Sequence, residues 1–109
     1  MNKRGKKKAD KRRRAVVHRI LDAVLDINGL EPRRKELEGN LPAAFFTFSG
    51  HVSEVSVGLH EYGWEIGDKE SFSEYGYLYP RNNRRNVEYV LESIRKEAAR
   101  LETKRRNEK

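Results

Sequence analysis

Cysteine is absent from this 109-residue chain, and methionine and tryptophan occur once each. Without cysteine there is no disulfide, thiolate metal site or cysteine nucleophile, and a reducing compartment is permitted. Only three prolines interrupt the chain, at Pro32, Pro42 and Pro80. No run approaches the roughly 18 apolar residues that a membrane span needs. The N-terminus has the basic part of a signal peptide without its apolar stretch, because Arg19, Asp22 and Asp26 interrupt residues 15–30. These absences point to a soluble, cytoplasmic protein. At this length one domain with a modest core is expected.

What the chain does have is charge, unevenly distributed. The formal net charge is +7. Residues 1–14 carry nine bases (Lys3, Arg4, Lys6, Lys7, Lys8, Lys11, Arg12, Arg13 and Arg14) against the single acid Asp10. Lys104, Arg105, Arg106 and Lys109 make the C-terminal end basic as well. The stretch between them is mildly acidic. The expected organisation is a disordered basic arm over residues 1–9, a single domain over 10–103 and a basic tail over 104–109.

From Asp10 onward the spacing of Val17, Ile20, Leu21, Val24 and Leu25 predicts a helix with one buried face. It should end at Asn28–Gly29, with Leu30 packing back on Leu25. The bases Lys11–Arg14 would occupy its first turn, where the helix end is already partly positive, so an anion belongs there. Residues 31–42 read as a connector with one helical turn from Pro32 to Glu38. The period then changes to two. Ala44, Phe46 and Phe48, followed by Val55, Val57 and Leu59, predict a β-hairpin turning near Ser49–His51. A third strand is expected from Phe72 to Tyr79, stopping at Pro80. A last helix, capped by Asn82–Asn83 or Asn86, carries the stripe Val87, Val90, Leu91, Ile94, Ala98 and Leu101, and should fray after Glu102. The fold class is therefore α+β: a three-stranded antiparallel sheet flanked by N- and C-terminal helices, in the order αβββα.

The nine bases of the arm are the strongest functional signal. Such a segment attracts polyanions, releases counterions from nucleic acid and can grip phosphates through arginine forks. The competing reading is a solubilising or localisation tail. A second signal is aromatic. If the helices cover Phe46, Phe48, Val55, Val57, Leu59 and Leu78, the opposite face presents Phe45, His60, Tyr75, Tyr77 and Tyr79, with the three tyrosines in a row. An open aromatic face can stack unpaired bases or meet a protein partner. It can equally consist of cross-strand packing partners. The lone Trp64 is expected at the core edge.

Catalytic constellations are weak. His51 and Glu54 fall in a turn and strand rather than on one helix face, so they do not form a metalloprotease pair. Ser49 and Ser53 near His51 lack an orienting third group. Gly58, Gly63 and Gly67 do not form a phosphate loop. No enzymatic activity, cofactor or metal is expected.

The stretch Phe46-Thr47-Phe48-Ser49-Gly50-His51-Val52, followed by Tyr62-Gly63-Trp64, resembles small uncharacterised proteins of bacteriophages and mobile elements. A basic arm ahead of a compact α/β body is similar in layout to some phage inhibitors of CRISPR nucleases. That layout implies docking on an RNA-loaded effector in a bacterial host cell. The leading expectation is a nucleic-acid or ribonucleoprotein binder, RNA ahead of DNA, with no membrane partner. The alternatives are an anti-CRISPR-like inhibitor or a protein-interaction module with a protein target.

Overall fold

The computed structural model describes residues 3–32, 39–67, 69–80 and 85–107. The expected connector turn after Pro32 and the Asn82–Asn83 cap lie outside these residues, apart from Pro32 itself. The element order is α1 (Lys3–Asn28), β1 (Ala43–Ser49), β2 (Glu54–His60), β3 (Phe72–Tyr77) and α2 (Val87–Asn107). The strands form one antiparallel sheet in the order β1-β2-β3. This is the αβββα arrangement that the change of period predicts.

The register explains how one face becomes the core. Phe46 is opposite Val57, Phe48 opposite Val55, and Leu59 lies between Ala44 and Phe72. Directly paired residues point to the same side, so these side chains share the face that the helices cover. Val55 and Leu59 are fully buried there, and Ile20 of α1 and Ile94 of α2 are among the largest side chains excluded from water. The core joins Val16, Ile20 and Val24 to Val87, Val90, Leu91 and Ile94 across Val55 and Val57.

The buried stripe of α2 is the expected one. Asn86 caps that helix, its side-chain Oδ1 accepting from the Glu88 N–H at 3.0 Å. In α1 the buried face is Ala9, Val16, Ile20, Ala23 and Val24, whereas Leu21 and Leu25 stay on the outer side of the expected stripe, partly in water. Small residues at 9 and 23 let the helix lie close, and that turns its face toward them. Gly29 ends α1 with φ at 74° and donates to the Leu25 carbonyl at 2.7 Å. Leu30 does not pack back on Leu25; it is 88% exposed.

Two termini also differ from expectation. Helix α1 begins at Lys3, not near Asp10, so residues 3–9 are its first turns rather than a disordered arm. At the other end α2 continues through Asn107 instead of fraying after Glu102. Lys104 donates to Tyr62 Oη at 2.7 Å and lies 3.3 Å from Glu61. Arg100 reaches the same Glu61 oxygen at 2.9 Å. Burial alone would raise the Glu61 carboxyl, but the hydrogen bonds from Arg100 and Lys104 outweigh it and hold the group below the ordinary glutamate range. Arg105 and Arg106 pair with Glu102 within the helix. Among the described residues of the basic tail, Lys104, Arg105 and Arg106 each meet a local acid, the two arginines sharing one.

Gly76 sets the height of α2 above the sheet. A Cβ there would come within 2.8 Å of the Asn86 carbonyl oxygen and of Val90 Cγ2, and 3.0 Å of Val87 Cα. Two of these are backbone atoms that cannot swing away. Gly76→Ala should therefore destabilise the fold by about 1–3 kcal/mol, as overpacking does in tight cores. Urea unfolding checks this, and an unchanged midpoint would show that α2 can lift without cost.

Candidate nucleic-acid interface

Helical geometry sorts the nine arm bases. Successive residues turn by about 100°, so Arg4, Lys7, Lys11, Arg14 and His18 form a stripe opposite the buried Ala9, Val16 and Ile20. All five are exposed. Lys3, Lys8 and Arg12 flank the stripe and are exposed too. Helix α1 spans 26 residues, about 39 Å at 1.5 Å per residue. Its first turn contains no acid to offset the positive end of the helix. The result is a rigid cationic rod whose outer surface is free to meet an anion.

An uncharged residue anchors the rod. Ala9 is buried in a cleft of about 450 Å³ that Leu78, Tyr79 and Pro80 border from the end of β3 and Val87 from the start of α2. Beside it Asp10 accepts a hydrogen bond from the Tyr79 hydroxyl. Lys6 and Arg13 each approach the same carboxylate at 3.4 Å. The Arg13 guanidinium also lies 4.3 Å from the centre of the Tyr79 ring. Two of the expected phosphate-binding bases, Lys6 and Arg13, are therefore partly engaged within the molecule.

These interactions set the pKa directions at the site. The Tyr79 hydrogen bond, helped by Lys6 and Arg13, holds the Asp10 carboxyl below its ordinary value. The same bond, with the negative charge of Asp10, raises the Tyr79 phenol.

The aromatic face is assembled only in part. Phe45, His60, Tyr75 and Tyr77 do share the sheet face away from the helices, as the register requires. Tyr75 and Tyr77 meet edge to face at 6.2 Å. Tyr79, however, lies beyond the end of β3 and belongs to the arm anchor, so the row of three tyrosines does not exist. His60 is 7% exposed, packed edge-on to Phe45 at 5.7 Å. It is buried and offers no open stacking surface. Arg85 reaches around the β3 edge, pairing with Glu74 and lying about 5 Å from the ring centres of Tyr75 and Tyr89. The arm and the remaining aromatic face lie in opposite layers, with the sheet between them. His18 and His51 are exposed and separate from His60.

Comparison with known proteins adds no relative: no family model, curated protein or solved structure matches the chain. The chemistry of the site therefore has to come from its own geometry. Sequence reasoning missed the role of Ala9, an apolar residue set among bases at a helical distance from Val16. It also missed Gly58 and Gly76, each a glycine inside a strand, which is the usual mark of a close approach.

Tyr79→Phe tests the anchor. Amide exchange over residues 3–9 should quicken roughly threefold, the modest effect expected of an exposed interaction, while Val55 and Val57 keep their protection. A carboxyl whose pKa is lower when docked stabilises docking above its free value of about 3.9 and loses that effect as pH falls through the docked value. The Ala9 Cα shift should therefore move toward coil in acid in the parent protein, and less so in the variant. Identical arm protection in both proteins would remove the anchor.

Proposed function

We propose that this chain is a non-enzymatic nucleic-acid-binding protein whose cationic first helix grips phosphates while the α+β body holds that helix rigid. The observation that carries this reading is the stripe Arg4, Lys7, Lys11 and Arg14 on the outward side of α1, opposite its buried face. A surface serving only solubility has no need of bases aligned on one side and acids excluded from the first turn. Phosphate binding of this kind gives strong, salt-dependent and largely sequence-independent affinity.

The helical form of the arm bears on the kind of nucleic acid. A helix about 10–12 Å across enters the major groove of B-form DNA, whereas the A-form major groove is deep and narrow. The expected preference for RNA accordingly turns toward duplex DNA. The open face does not reverse this, because Phe45, Tyr75 and Tyr77 are on the far side of the sheet from the arm.

Replacing Lys7, Lys11 and Arg14 together with glutamine should weaken duplex binding by roughly one to two orders of magnitude at moderate salt. The slope of log affinity against log salt should fall by about 0.9 for each phosphate that is no longer neutralised. Fluorescence anisotropy with a labelled duplex measures both, and DNA should bind more tightly than RNA of the same sequence. Lys96→Gln, on the exposed side of α2, serves as the control and should change little. If the triple variant keeps the parent affinity and salt slope, the arm is not the binding element.

A further inference from the structure

The sheet face away from the helices is not bare at the end where β2 passes into β3. The segment between these strands is pinned at both ends. Gly63 N–H donates to the His60 carbonyl at 3.2 Å, and the Ser71 N–H and hydroxyl both donate to the Leu59 carbonyl, at 2.8 and 3.0 Å. Ser71 Oγ also accepts from the Glu61 N–H at 3.0 Å. Held this way, the segment brings Trp64, Lys69 and Glu70 over the strands. With Phe45, His60 and Ser73 they enclose a shallow recess of about 640 Å³.

Four features of this recess go beyond packing. Phe45 and Trp64 pack edge to face, ring centres 6.4 Å apart and planes at 63°, and remain 46% and 44% exposed. Glu70 lays its carboxylate where a side chain of residue 58 would be, so that Gly58 is the seat for the acid. Glu70 makes no hydrogen bond or ion pair among the described residues. Finally, His60 is buried and, among the described residues, its Nδ1 has no hydrogen-bond partner. A buried imidazole nitrogen left unpaired is costly.

The chemistry of these groups selects a ligand. The exposed Trp64 indole accepts a stacked flat ring. A carboxylate with free lone pairs accepts two neighbouring N–H donors. Of the four common bases only guanine presents two adjacent donors, N1–H and the N2 amino group, on one edge. Adenine and cytosine offer one donor beside an acceptor, and uracil one donor between two acceptors. An arginine guanidinium has similar donors, but its charge would be opposed by Lys69 on the rim, whereas Lys69 favours a phosphate-bearing ligand.

We propose that this recess is a guanine-binding site, in which the base stacks on the exposed Trp64 indole beside Phe45, Glu70 accepts from N1–H and N2–H, and Lys69 supplies the cation for the phosphate. The site is independent of the arm, which lies in the other layer and at the other end of the sheet.

Trp64 is the only tryptophan in the chain, so its fluorescence reports the site directly. The full chain is titrated with GMP, AMP, CMP, UMP and L-arginine, and separately with guanosine. GMP should give saturable quenching with an affinity roughly tenfold or more above the other three nucleotides, as two-bond recognition of a base confers. Guanosine should bind more weakly than GMP. Glu70→Gln should abolish the preference for GMP with an unchanged far-ultraviolet spectrum. Gly58→Ala, whose Cβ takes the seat of the carboxylate, should do the same. The proposal is overturned if GMP gives no saturable change, if all four nucleotides act alike, if arginine binds more tightly than GMP, or if both variants keep the preference. The nucleotide panel on the unaltered protein decides the matter even if a variant fails to fold. Because free nucleotides do not need the arm, a negative result here leaves duplex binding by α1 untouched, and the reverse also holds.

Discussion

Two parallel helices have to share one face of a three-stranded sheet, and the absence of a side chain at Gly76 is what lets the second of them sit down. The backbone of Asn86 and Val87 closes directly on that glycine. Tyr77 N–H donates to the Arg85 carbonyl at 2.8 Å, and Tyr77 pairs in parallel with Asn86 as an isolated bridge. The start of α2 is therefore hydrogen-bonded to the end of β3 before the helix proper begins. That placement aims Val87, Val90 and Ile94 at Val55 and Val57 and leaves a groove that Val16, Ile20 and Val24 of α1 fill. The helices run in the same direction, since their N-terminal residues border one cleft and their C-terminal residues another.

The same junction creates the support for the cationic helix. As the chain leaves β3, Leu78, Tyr79 and Pro80 turn toward the first turns of α1, where Ala9 is buried among them. An isolated helix that opens with nine bases in its first twelve residues would be poor, because like charges repel and the helix end is itself positive. Burial of Ala9 and the Asp10–Tyr79–Arg13 cluster offset this locally, and neither depends on an anion being present. The arm is thereby ordered in advance, so that less entropy is lost when it meets a polyanion.

Positive charge and aromatic surface occupy different layers of the molecule. The arm lies with the helices, while Phe45, Trp64 and Glu70 gather on the far face, around the strand glycine Gly58. The two strand glycines act alike in one respect: each vacates the volume of a side chain for a group arriving from elsewhere, backbone at Gly76 and a carboxylate at Gly58. One builds the core and the other a recess.

The fold was largely legible in the sequence, because alternation over residues 44–59 and the 3.6-residue stripe of Val87, Val90, Leu91 and Ile94 are local patterns that burial enforces directly. The end of α1 at Gly29 and the Asn86 cap were legible for the same reason, each depending on its own few residues. The location of the charge was legible too, since counting residues requires no fold. What the arm does structurally was not. Whether residues 3–9 are coil or helix depends on the meeting with Tyr79, sixty-nine positions from Asp10, and no local pattern encodes a pairing so distant. The same holds for the tyrosine row, which alternation placed correctly at Tyr75 and Tyr77 but not at Tyr79, where the chain has already left the sheet. Local periodicity therefore determined the elements and the charge they carry. Only tertiary packing decided which charged and aromatic groups meet, because those meetings are set by how the chain returns over itself rather than by the residues beside them.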